Sequence, residues 1–132
     1  MKTILFACLH NAGRSQMAAA FFNALADPTK AHAISAGTEP GARVHPEVVA
    51  AMREVGVDLT GASPRKLTDV LATQADLLVT MGCGEACPFV PGLRREDWPL
   101  DDRKGESLER VRAIRDEIRA RVERLLAAEG AR

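Results

Sequence analysis

Apolar and polar positions change period several times along this chain. Thr3 to Ala7 (T-I-L-F-A) is continuously apolar rather than alternating, as in a strand covered on both faces. From Ser15 to Leu25, the residues Met17, Ala18, Phe21, Phe22 and Leu25 fall on one side at helical spacing, and Asp27-Pro28 ends the helix. His32 to Gly37 reads as a second short strand, followed by a loop from Thr38 to Arg43. His45-Pro46 then opens a helix striped by Val48, Val49, Met52 and Val55, with Gly56 suited to its end. Ser63-Pro64 predicts a shorter helix bearing Leu67, Val70 and Leu71. Ala75 to Met81 predicts a third strand, and Arg95 to Trp98 carries a faint signal for a fourth. A long helix follows from about Ser107 to Ala128, with Leu108, Val111, Ile118, Val122 and Leu125 as its apolar face and Ser107 as N-cap. This alternation predicts an α/β fold: one domain over residues 1–132, with a small parallel sheet of about four strands and helices on both faces. Ligands of such sheets bind beyond the carboxyl ends of the strands. Cys8 ends the first strand and Cys83 lies just past the third, so neighbouring strands would bring both to one edge.

The stretch from Cys8 to Ser15, C-L-H-N-A-G-R-S, carries the densest chemistry. A cysteine ends a strand, Leu9, His10, Asn11, Ala12 and Gly13 turn the chain, and Arg14 and Ser15 open a helix. The turn's backbone N–H groups and the positive end of the helix dipole make an anion cradle. Arg14 can grip two oxygens of a tetrahedral oxyanion at once. The same field favours the thiolate of Cys8, the nucleophilic form, and the Ser15 hydroxyl is placed to donate to that sulfur.

Charge and composition narrow the partners. Eighteen Lys and Arg balance eighteen Asp and Glu, and no basic block occurs, so neither nucleic acid nor an acidic membrane surface is expected as a partner. The first apolar run is too short for a signal core or a membrane span. Three cysteines, poorly placed for a secreted disulfide framework, point to the cytoplasm and to reactive thiols. A monomer is expected.

C-x-x-x-x-x-R-S resembles the phosphate loop of the low-molecular-weight tyrosine phosphatases, and the fuller C-x-H-N-x-G-R-S-Q-M-A resembles the arsenate reductases that share their fold. A phosphatase needs one cysteine, a general acid and water. Reduction of arsenate needs further thiols. The run V-T-M-G-C-G-E-A-C-P, together with S-A-G at Ser35 to Gly37, H-P at His45-Pro46 and E-D-W at Glu96 to Trp98, resembles those reductases over nearly the whole chain. The resemblance implies that Cys8 is the nucleophile, Cys83 the resolving thiol and Cys87 the recycling thiol. It also implies an external reductant, with thioredoxin favoured by the two extra thiols, and no bound cofactor. A low-molecular-weight protein tyrosine phosphatase is the alternative enzyme, and an arsenical- or phosphate-binding regulatory module the non-enzymatic one.

The same resemblance places the general acid in Asp101-Asp102. Asp102 fits better by its distance from Trp98, but Arg103 stands where relatives carry proline, which leaves Asp101 open. It makes Asn11 the brace of the cradle, and His10 is expected at its rim. The C-x-x-x-C spacing of Cys83 and Cys87 also admits a zinc or arsenic(III) site completed by His10 or His45. No second ligand pair has metal spacing, so no metal is expected. Some relatives hold potassium near the loop through acidic side chains. The matching positions here are Ala19 and Arg65, so that cation is not expected either.

Overall fold

In a computed structural model, described over residues 1–81, 90–100 and 107–132, four strands and four helices follow one another as β1 (Lys2–Cys8), α1 (Arg14–Leu25), β2 (Ala31–Gly37), α2 (Pro46–Glu54), α3 (Asp69–Thr73), β3 (Leu77–Thr80), β4 (Arg94–Asp97) and α4 (Leu108–Glu129). The strands form one parallel sheet in the order β2-β1-β3-β4. β1 and β3 are neighbours, with Ala7 opposite Thr80, so both end at the same edge.

The continuous apolar run of β1 is explained by cover on both faces. Ile4, Phe6 and Cys8 point into the larger core, with Phe21 and Phe22 of α1, Met52 of α2 and Ile118 and Leu126 of α4. Leu5 and Ala7 point the other way, against Leu67, Leu71 and Ala72 of α3 and the segment before it. Phe6 is the pivot of the larger core: Phe22 meets its ring edge-on at 6.1 Å and Trp98 lies tilted at 5.6 Å. Burying each such side chain contributes roughly 1.5–3 kcal/mol. α2 and α4 are clamped at the surface, where Glu54 accepts from Arg112 at 2.5 Å and from Arg115 at 2.9 Å. Arg112 beside it, then Arg115, holds the Glu54 carboxyl down at about 2.

Two elements differ from the sequence expectation. The helix expected from Ser63-Pro64 begins only at Asp69, where Thr68 caps it by accepting from the Leu71 N–H at 3.1 Å. The residues before it extend alongside the end of β2 instead: Gly37 N–H donates to Arg65 O and Leu67 N–H to Gly37 O. Those bonds use the backbone groups that a helix would need. Leu67 and Leu71 are still buried, but Val70 faces solvent. The fourth strand is Arg94–Asp97, all exposed, and stops before Trp98. An edge strand of four charged residues has no alternation to read, and its charge guards a free sheet edge.

Candidate active site

Cys8 is the last residue of β1 and is buried. Its Sγ lies 2.9 Å from Ser15 Oγ and 3.2 Å from the Asn11 N–H, which donates to it. Ser15 Oγ accepts from Asn11 Nδ2 at 2.7 Å and keeps its own proton to donate to the sulfur once Cys8 is a thiolate. A thiolate at Sγ would accept from both the Asn11 N–H and the Ser15 hydroxyl.

The loop between Cys8 and Arg14 turns its carbonyls outward. Cys8 O accepts from Thr38 N at 3.2 Å, Leu9 O from Glu39 N at 2.8 Å, His10 O from Gly41 N at 2.9 Å and Ala12 O from His45 N at 2.9 Å. Asn11 O accepts from the Gln16 side chain at 3.0 Å. In a trans peptide the N–H points opposite to the carbonyl, and no described peptide bond is cis. The N–H groups of Leu9, His10, Asn11, Ala12 and Gly13 are therefore turned away from those partners, and that of Asn11 ends on the Cys8 sulfur. α1 follows at once. Gly13, its N-cap, has no side chain to cap it, and the first turn carries no acid. The dipole and the first-turn N–H groups thus face the site without a competing carboxylate.

Two walls hold the loop. The segment 38–45 takes the carbonyls named above. On the other side Asn11, in the left-handed region at φ 51°, accepts through Oδ1 from Arg65 N at 3.0 Å and from Gln16 Nε2 at 3.1 Å. Gly37 stands at the end of β2 against the loop. A Cβ there would lie 2.7 Å from Leu9 O and 2.9 Å from both Asn11 N and His10 C, so only glycine admits this approach.

Arg14 is buried and donates from Nη1 to Leu100 O at 3.0 Å. That bond ties the first turn of α1 to the residue just before the Asp101-Asp102 pair. His10 is half-buried, with Nδ1 3.0 Å from Glu39 O. A carbonyl only accepts, so this nitrogen carries a proton. At the end of β3, Met81 N donates to Ala7 O at 2.7 Å, and the chain leaves β3 beside Cys8. Thr80 Oγ1 donates to Asp97 of the E-D-W run. That bond, with Arg95 beside it, holds the Asp97 carboxyl below its ordinary range.

Of the sequence-predicted residues, Cys8, Leu9, His10, Asn11, Ala12, Gly13, Arg14 and Ser15 form one site. Cys83, Cys87, Asp101 and Asp102 lie outside the described residues. Among the described residues no three His, Cys, Asp or Glu side chains gather as a metal would need. Gln16, the Leu100 carbonyl and the backbone of residues 63–65 were not singled out from sequence. Gln16 had one signal, its place directly after the Arg-Ser pair. The other two act through backbone atoms, which no residue type betrays.

Residues 3–131 match the model of the low molecular weight phosphotyrosine protein phosphatase family. A glutaredoxin arsenate reductase from Synechocystis is 38% identical over 130 residues, 96% of this chain and 98% of that protein. Among solved structures, a thioredoxin-dependent arsenate reductase from Corynebacterium glutamicum superposes with a TM-score of 0.86 at 35% identity, over 98% of this chain. This chain spans only 62% of that one. An arsenate reductase in its phosphate-binding state superposes with a TM-score of 0.83 at 36% identity, over 97% of this chain and 98% of that one. The chain belongs to the low molecular weight phosphotyrosine protein phosphatase family, and it has relatives at 35% to 38% identity that are named arsenate reductases.

Proposed function

We propose that the chain reduces arsenate to arsenite in the cytoplasm, as a monomer fed by an external dithiol. The observation that carries this reading is the Cys8 sulfur under two donors, beside a loop whose amides face inward. Arsenate sits in the cradle with Arg14 on two of its oxygens, and the Cys8 thiolate attacks arsenic with loss of water. Cys83 then attacks the Cys8 sulfur. The S–As bond breaks, arsenic leaves with the electron pair as arsenite, and a Cys8–Cys83 disulfide remains. Cys87 attacks Cys83, which frees Cys8 and leaves a Cys83–Cys87 disulfide for the external reductant. The pairing of β1 with β3 supports this relay, because β3 ends at the edge where Cys8 stands and the G-C-G-E-A-C-P run follows it closely in sequence. The electrons balance: two thiols are oxidised for each arsenic(V) reduced.

Thioredoxin is the donor we favour, since two relay thiols end in a disulfide that a dithiol protein opens. The test is arsenite formation from arsenate with thioredoxin, thioredoxin reductase and NADPH, with glutaredoxin and glutathione as a second arm. One NADPH per arsenite is expected in the thioredoxin arm, and none with Cys8→Ser. Absence of arsenite in both arms refutes the reading. The cradle, with Asp102 or Asp101 as acid, should also cleave an activated aryl phosphate slowly. Arg14 on Leu100 supports that side activity, because Leu100 directly precedes Asp101 in the chain.

A further inference from the structure

We propose that Gln16 is a positioning residue for oxyanion binding: it holds the Asn11–Ala12 peptide so that the Ala12 N–H faces the cradle. This rests on the reading of the loop as an oxyanion site. Gln16 lies in the first turn of α1 and is 6% exposed. Its Nε2 is 3.0 Å from Asn11 O, 3.1 Å from Asn11 Oδ1 and 3.1 Å from Ser63 O. Three acceptors share one amide nitrogen with two hydrogens.

The other outward carbonyls of the loop, on Cys8, Leu9, His10 and Ala12, are held by backbone N–H groups of residues 38–45. Asn11 O is the one gripped by a side chain, so the orientation of its peptide depends on residue identity. That peptide also follows the least favourable backbone in the loop. Asn11 is the non-glycine residue with positive φ among the described residues, and such a conformation persists only where its surroundings hold it. Removing the Gln16 amide takes the donor from the buried Asn11 O and leaves it beside Asn11 Oδ1, which keeps its bond from Arg65 N. Rotation of the Asn11–Ala12 peptide moves that carbonyl away and turns the Ala12 N–H out of the cradle. The Cys8 sulfur is held separately, by Ser15 Oγ and the Asn11 N–H.

The inference therefore separates anion binding from thiol reactivity. Gln16→Leu keeps the volume and loses the donor, and Gln16→Met is an unbranched second variant should the first not fold. Circular dichroism selects the folded variants. Iodoacetamide labelling of Cys8 is then followed against inorganic phosphate, and the protection constant compared with the unchanged protein. Loss of one N–H to a charged ligand weakens phosphate protection about tenfold or more. Labelling without phosphate should stay within about threefold, since the donors to sulfur are retained. A folded variant whose protection constant changes less than about threefold overturns the proposal, even if its melting temperature falls, because a merely structural role predicts that pattern. If phosphate fails to protect the unchanged protein, the oxyanion reading itself fails and the proposal falls with it.

Discussion

Gly37→Ala tests how the loop is shaped without touching any group that bears chemistry. Gly37 is not among the described glycines with positive φ, so alanine meets no backbone penalty there. The effect must come from contact alone. The new methyl would lie 2.7 Å from Leu9 O, whereas carbon and carbonyl oxygen rest at about 3.3–3.6 Å. A gap of roughly 0.6–0.9 Å must be opened against backbone. Gly37 cannot retreat, because Arg65 O and Leu67 N bond its two backbone groups from the far side at 2.9 and 2.8 Å. The shift therefore falls on Leu9, His10 and Asn11, whose amides form the cradle. A displacement near 1 Å costs about a hundredfold in rate, and overpacking costs about 1–3 kcal/mol in stability. Arsenite formation under the thioredoxin system reads the first, and urea unfolding reads the second. Gly61→Ala is the control: its Cβ meets nothing within 4 Å, so both measurements should stay unchanged. Gly37→Ala with activity within threefold of the unchanged protein would show that the loop is not held by this contact.

Ser15→Ala removes the hydroxyl 2.9 Å from Cys8 Sγ and should slow arsenite formation and Cys8 alkylation near neutral pH by about tenfold or more; equal alkylation rates would show that Ser15 does not serve the sulfur. In Cys87→Ser a single equivalent of arsenate should be reduced and a Cys8–Cys83 disulfide should accumulate, as read by peptide mapping; sustained turnover with thioredoxin would refute the relay. Glu54 has its carboxyl held at about 2 against an ordinary 4.5. Its depressed value means that the stability it contributes is present above pH 4.5 and is lost as pH falls toward 2. Glu54→Gln should therefore be less stable than the unchanged protein near neutral pH, with the gap closing from pH 4.5 to 2 in melting curves; a gap constant with pH would rule out the Arg112 and Arg115 pairing as its source.

Local sequence alone determined the framework of this protein. Short apolar runs between amphipathic stretches specify strands and helices, because burial on two faces and burial on one leave different periods. The loop was legible for the same reason: a strand-end cysteine, five turn residues and Arg14-Ser15 occupy consecutive positions, so their proximity needs no folding to be known. The extended run before α3 was not legible, since Ser63-Pro64 starts a helix as readily as a strap, and only the vacant backbone groups at the end of β2 chose between them. β4 hid because its four residues are all charged and all exposed. Tertiary structure also decided how the loop is held. Gly37 against Leu9, Arg65 N on Asn11 and Leu100 O on Arg14 join residues 28 to 86 positions apart, through backbone atoms common to every residue type. Side-chain pattern records what must be buried, but it carries no mark of which backbone group will meet which, and that meeting shapes the site.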